Sequence, residues 1–395
     1  MSKSETVDYI YIDSNLSLNK QIGKINSVQH LSVDLEFDKN RFRYGFNLCL
    51  IQIYDGDQTY LVDPLSEEID LSPLFKVFED PDITKIVFSF GEDLRLLHSL
   101  GCFPQGLFDL QIVSGLLNFP PSSLASLIDQ VLGIYISKSS QQSNWFNRPL
   151  SIAQLNYAVQ DVIFLPKIYA LFQSQSDKRG IESWIQQEMT HFESDNHEDA
   201  SQNEILKEKY KGDLNEIEWH LFSRLMLLRE AHAEKMNRPP YHIAERRILN
   251  QIARNPEFSS EWMRISSNHR STKNLSFVHL LESEIEVALS ESKELGLSSR
   301  RRAAKKLSKD EYEEWKAIEM KVKYAKQNFF KPIQKCIDQE FGEHVKTLIL
   351  NNRLIKDLVV GKHANLLPYK RKVIIDCANK LGLNSDPYLT NSTEL

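Results

Sequence analysis

Short apolar runs rich in β-branched and aromatic residues punctuate the first part of the chain: YIYID (9–13), HLSVDLEF (30–37), LCLIQIYD (48–55), TYLVD (59–63) and KIVFSF (85–90). Their length and composition predict strands. Between and after them the apolar spacing turns helical, in LSPLFKVFED, EDLRLLHSLG, LQIVSGLLN, SLASLIDQVLG and the long SIAQLNYAVQDVIFLPKIYALFQ. Ser151 and Gln154 have capping-box spacing at the start of that last stretch. Leu155, Ala158, Val162, Leu165 and Tyr169 then form an apolar stripe suited to packing on a sheet. Clustered strands followed by strand–helix alternation predict an α/β domain, a mixed sheet flanked by helices.

From about residue 176 the strand signals stop. The segment ESDNHEDASQNE (193–204) is polar, acidic and without period, and reads as a linker. Beyond it Trp219, Phe222, Leu225, Leu228 and Ala231 repeat at helical spacing, up to the breaker NRPPYH. A basic interruption, SSRRRAAKK (298–306), precedes another helical stretch that runs to about residue 383. The expected boundaries are an α/β domain over 1–192, an acidic linker over 193–208 and a helical module over 209–290. A basic linker over 291–310, a second helical module over 311–385 and a tail over 386–395 complete the chain.

Composition narrows this picture without redirecting it. A chain of 395 residues with 41% hydrophobic and 26% charged content is ordinary for a globular protein of two or three domains. It has no apolar run near twenty residues, and MSKSETVDYI lacks a signal-peptide core, so the expectation is a cytoplasmic protein with no membrane partner. Cys49, Cys102, Cys336 and Cys377 are scattered with no CxxC pair, which reads as four reduced thiols. A net charge of −6 argues against coating nucleic acid by charge alone.

Candidate chemistry lies in the carboxylates. Asp34 and Glu36 are two apart in a predicted strand and share a face. Alone, they read as the wet side of that strand. Asp93 falls in the first turn of a helix that follows a strand, where an acidic residue is also favoured for its own sake. Tyr157 and Asp161, four apart, sit one above the other on a helix. Together these residues suit hard divalent cations. Two Mg²⁺ ions about 4 Å apart activate a water and stabilise a leaving oxygen in phosphodiester cleavage, and they require several converging carboxylates.

The segments VDLEF, FSFGEDL and YAVQDVIFL resemble the three exonuclease motifs of the DEDD superfamily, tyrosine branch. The connecting text NLCLIQIYDG, FDLQIVSGLLN and SKSSQQSNWFNRPLS is similar to ribonuclease D in particular, over roughly residues 8–190. The resemblance implies an RNase-H-like fold and 3′→5′ exonucleolysis that releases nucleoside 5′-monophosphates, with two divalent ions, Mg²⁺ or Mn²⁺. Carried over by motif, Asp34 bridges both metals, Glu36 and Asp161 complete the first, Asp93 holds the second, and Tyr157 orients the attacking water. The chain departs from the family at Phe88, where a histidine is common, and at Asn144, where an aspartate usually precedes the tryptophan. Asp109 matches an acidic family position but reads as a helix N-cap, and Gln52 as a structural hydrogen-bonding residue. Phe37, Tyr44 and Trp145 are candidate stacking surfaces for terminal bases.

The stretch from Glu218 to Pro256, a Trp/Leu-rich helix, a double proline and a charged helix start, resembles the helicase-and-RNase-D C-terminal (HRDC) domain. Residues 311–383 are similar to a more divergent second copy. Arg300, Arg301, Arg302, Lys305 and Lys306, with Arg246 and Arg247, make a candidate phosphate-binding patch. The leading expectation is a monomeric exoribonuclease that trims single-stranded 3′ ends of RNAs such as tRNA precursors. A DNA exonuclease of the same superfamily and a non-catalytic RNA-binding scaffold are the rivals.

Overall fold

The structure, a computed structural model, describes residues 8–136, 142–194, 205–300, 308–363 and 366–389. Among these, six strands form one sheet in the order β1-β4-β3-β2-β5-β6. They are β1 (Ile10–Ile12), β2 (His30–Lys39), β3 (Phe46–Tyr54), β4 (Thr59–Val62), β5 (Thr84–Val87) and β6 (Leu107–Asp109). β3 runs antiparallel to β4, while β1 is parallel to β4, β2 to β5, and β5 to β6. The sheet is therefore mixed, as its alternation of hairpin-like and crossover signals predicts.

Eight helices dress this sheet: α1 (Asn15–Ile25), α2 (Ser72–Glu79), α3 (Gly91–Ser99), α4 (Leu110–Leu116), α5 (Leu124–Leu132), α6 (Ile152–Ile163), α7 (Leu165–Arg179) and α8 (Glu182–Ser194). The long helical pattern after Ser151 is two helices, broken at Phe164. Pro166 explains the break: it lacks an N–H and is tolerated only in a first helical turn. The predicted capping box at α6 is present, with Ser151 Oγ accepting from the Gln154 amide at 3.3 Å.

By packing, the chain divides into two compact units. One draws on residues within Met1–Leu35, Leu50–Asn196 and Leu307–Leu395, the other on Glu36–Cys49 and His197–Lys306. In the first, the helices of 309–389 do not close a core of their own. Phe330, Ile337, Ile349, Ile374 and Cys377 share one continuous cluster with Leu116, Ile168 and Phe172. Trp184 of α8 stacks on Tyr369 with ring centroids 4.9 Å apart, and Lys370 pairs with the buried Glu188 at 2.8 Å. The predicted second helical module is thus built into the core of the sheet unit, because α4, α7 and α8 leave an apolar face that it covers.

The second unit has its own core around Trp262, whose ring stacks on Phe277 at 5.4 Å and whose indole N–H donates to the Thr272 carbonyl at 3.2 Å. Its long helices, Glu216–Lys235 and Leu275–Glu294, are pinned by Arg224, which bonds Glu284 at 2.8 Å and Glu291 at 3.0 Å. The β2–β3 turn belongs to this unit: Tyr241 Oη donates to the Arg41 carbonyl at 3.2 Å and the Tyr44 amide to Asn237 at 3.3 Å. Among the described residues no helix is long and apolar enough to cross a membrane.

Gly342 marks the seam where the C-terminal helices dock on α4. Its φ of +105° suits only glycine, and a Cβ there would lie 2.2 Å from the Asn118 side chain. Asn118 cannot yield freely, because its Oδ1 accepts from the His344 amide at 3.0 Å. Gly342→Ala is therefore expected to destabilise the protein by at least about 1–2 kcal/mol, read as a lower denaturant midpoint with unchanged slope.

Candidate active site

β2 carries its apolar residues Leu31, Val33 and Leu35 into the core, at 4% exposure or less. That alternation turns Asp34 and Glu36 together to the opposite face. From a segment more than a hundred residues on, α6 brings Asp161 to the same place. Carboxylate oxygens of Asp34, Glu36 and Asp161 lie within 4.8 Å of one another. Asp93, delivered by the first turn of α3 after β5, is buried and close enough that its charge acts on Asp34.

Three of these carboxylates, Asp34, Asp93 and Asp161, sit under strong electrostatic stress. Burial pushes Asp34 well above the usual carboxylate range, and the charges of Asp161 and Asp93 push it further. Asp93 is raised to about 8 by burial, with Asp109 and Glu92 adding to it against a backbone hydrogen bond. Burial raises Asp161 to about 7, although Tyr157, one turn before it, donates a hydrogen bond that favours the charged form. Such crowding is unfavourable without a cation, and the donors are all hard oxygens. The donors suit a hard divalent cation, which Asp34, Glu36, Asp93 and Asp161 would hold.

Two anchors hold the supporting backbone. Asp109 caps α4 through the Gln111 amide at 2.7 Å, as its position predicts. It also accepts from the amides of Ser89 at 3.0 Å and Phe90 at 2.9 Å. Ser89 has φ +56°, an uncommon conformation for a residue with a side chain, and Asp109 over-determines it. The turn that delivers Asp93 is thereby fixed. Sequence reading saw the cap and missed this second task, which only the partner twenty residues away reveals. The second anchor is Asp63 after β4, held by Arg148 Nη2 at 2.7 Å and by Tyr11 Oη at 2.6 Å. It fastens the segment leading into α6, and no local signal in the sequence announced it.

The other candidates scatter. Trp145 is 3% exposed and offers no surface to a base; its ring lies 6.2 Å from that of Tyr157 and supports it from behind. The expected stacking role of Trp145 is corrected accordingly. Phe37 is half-buried, edge-on to Phe46 at 5.2 Å. Tyr44 is half-buried in the β2–β3 turn, with its backbone bonded to Asn237. Arg300 is exposed, whereas Arg301, Arg302, Lys305 and Lys306 lie outside the described residues. Arg246 covers the Tyr210 ring at 4.1 Å and Arg247 pairs with Glu245. Gln52, expected to make a structural hydrogen bond, is fully buried with neither side-chain polar atom partnered.

Comparison with known proteins identifies the family. A family model described as 3′-5′ exonuclease matches residues 9–177, the span that contains all five motif residues. A ribonuclease D of Bartonella henselae is 30% identical over 274 residues, 68% of this chain and 67% of that protein. The chain belongs to the ribonuclease D family. It is accordingly a 3′–5′ exoribonuclease, with a catalytic domain made of the sheet and its helices. The fold match extends to the helical part: the crystal structure of Escherichia coli RNase D superposes over 95% of this chain and 99% of its own, with TM-score 0.67 at 22% identity. A protein from Bifidobacterium adolescentis, 16% identical, covers 95% of this chain with TM-score 0.72.

The raised carboxyls carry a pH signature. Their usual value is 3.8, so from about pH 4 up to about pH 8 folded Asp93 and Asp161 keep protons that the unfolded chain has released. Stability then falls with rising pH across that window. Thermal melts of EDTA-treated protein are expected to show this decline, Asp161→Asn to flatten it, and Mg²⁺ or Mn²⁺ to restore stability most at the alkaline end.

Proposed function

We propose that this family member removes nucleoside 5′-monophosphates one at a time from single-stranded 3′ ends of RNA, using two divalent ions, and that structured RNAs such as tRNA precursors are its substrates. The convergence of Asp34, Glu36 and Asp161 from two remote segments, with Asp93 beside them, is the observation that carries this reading. When bound, the ions supply Lewis acidity that lowers the pKa of the attacking water and neutralises charge on the leaving oxygen. Asp34, Glu36, Asp93 and Asp161 would hold the ions, with Asp34, on which the charges of both Asp161 and Asp93 act, as the carboxylate they would share.

Tyr157 acts from this chain's own chemistry. Its hydroxyl is aimed at the carboxylate edge by the bond to Asp161, and its ring is backed by the buried Trp145. It would position the attacking water. The HRDC-like unit within 209–290, with Phe37, Tyr44 and Arg300 as further contacts, holds the RNA while its 3′ end is cut. Four free cysteines and the nucleic-acid substrate fit work in the cytoplasm, and a monomer is the oligomeric state proposed. That the Escherichia coli protein is described as an exoribonuclease involved in structured RNA processing supports the substrate class.

The test uses 5′-labelled RNA and DNA with single-stranded 3′ tails, with Mg²⁺, Mn²⁺ or EDTA. Metal-dependent ladders shortening from the 3′ end of RNA are expected. Asp34→Asn should lower kcat by on the order of a thousandfold or more, Glu36→Gln by less, and Tyr157→Phe by about a hundredfold. RNA left equally intact by wild type and Asp34→Asn, yet still bound, would show a scaffold, and faster digestion of the DNA would show a DNA exonuclease.

A further inference from the structure

A second cluster of ligand-type side chains lies among the C-terminal helices, built of a different set of donors from the carboxylate site. The helix Lys331–Phe341 carries Cys336 and Glu340, four residues apart and therefore on one face. The helix Pro368–Lys380 brings Cys377 against them. One donor atom from each, two sulfurs and a carboxylate oxygen, lie within 4.8 Å of one another. The Cys336 thiol donates to Glu340 Oε1 at 3.4 Å, and Lys380 Nζ donates to the same oxygen at 2.6 Å. The thiols are 8% and 1% exposed, while the Lys380 side chain is 57% exposed, so the cluster is closed on the sulfur side and open to water on the carboxylate side.

We propose that Cys336, Glu340 and Cys377 form a binding site for a thiophilic divalent cation of the zinc class, which ties these two helices together. Two sulfurs select soft or borderline ions over Mg²⁺, and three protein ligands with a water complete a tetrahedron. Zn–S bonds of about 2.3 Å place tetrahedral ligands roughly 3.8 Å apart, which lies within the 4.8 Å that spans the three donor atoms. The charges also close. Two thiolates and one carboxylate contribute −3, the cation +2 and the Lys380 ammonium +1, leaving the set neutral.

The step exchanges protons and involves no redox change. The cation replaces the two S–H protons, which leave to solvent, and Lys380 stays on the carboxylate as an orienting partner. Lys380 first of all holds Glu340 below its usual range, so this ligand is already ionised. Burial raises the Cys377 thiol to about 12, with Cys336 and Glu340 adding to it. The plain reading, two core cysteines that happen to meet, explains the packing but not a charged Glu–Lys pair set on the sulfurs.

The decisive measurement titrates Cd²⁺ into the full-length, reduced protein with Mg²⁺ in excess to keep the carboxylate site occupied. The expected result is a thiolate-to-cadmium charge-transfer band that saturates at one equivalent, with Zn²⁺ displacing it and both ions raising the melting temperature. Cys336→Ser and Cys377→Ser should each abolish the band. Glu340→Gln, a change at the exposed edge that leaves the core sulfurs in place, should weaken binding by about tenfold or more. The proposal is overturned if one equivalent of Cd²⁺ gives no band while thiol titration finds the cysteines reduced. It is equally overturned if the band survives the double cysteine variant, or if the pair closes to a disulfide on mild peroxide treatment and binds no Cd²⁺ beforehand.

Discussion

Crowding of Asp34, Glu36, Asp93 and Asp161 is the constraint around which the catalytic domain is organised. Burial raises Asp34, Asp93 and Asp161 above their ordinary range, and neighbouring carboxylates add to it at Asp34 and Asp93. Left to itself a chain relieves such strain by swinging side chains into solvent. This one cannot, because β2 fixes two of them by strand alternation and two helices present the others. The cluster thus stores a demand for divalent charge, which the family's chemistry satisfies.

Rigidity around the cluster comes from a few hydrogen-bonded carboxylates that are not themselves part of it. Asp109 gathers the amides of Ser89, Phe90 and Gln111, and so converts an uncommon backbone turn into a defined launch point for α3. Asp63 does comparable work on the other side, tying Tyr11 of β1 and Arg148 to the entrance of α6. Both are buried, and both accept from partners remote in sequence. Their charge is satisfied by fixed donors, in contrast to the four that wait for a cation.

The C-terminal helices extend the same logic of shared cores. Their apolar residues complete a cluster begun by α4, α7 and α8, so these helices are part of the core of the sheet unit. The sulfur-containing cluster at Cys336 and Cys377 sits inside that shared layer. A cation there would act on the stability of the domain's final layer rather than on bond cleavage. Chemistry and stability would then draw on different ions, selected by oxygen and by sulfur donors.

Local physics was legible in the chain alone. Period-two alternation identified β2 and the face shared by Asp34 and Glu36, capping residues placed the start of α6, and Tyr157 with Asp161 followed from helical spacing. The motif resemblance then singled out the candidate site residues without any coordinates. Each of these signals lies within about one helical turn or one strand, the range over which sequence order dictates geometry. What tertiary structure decided depends on partners brought from far along the chain. Trp145 became a buried support for Tyr157, Asp109 became the clamp on the Asp93 turn, and residues 309–389 joined the core of the sheet unit. An aromatic, an aspartate or an apolar stripe announces that it will be buried or bonded. Only the folded chain says against what, because that choice is settled by close packing among distant segments.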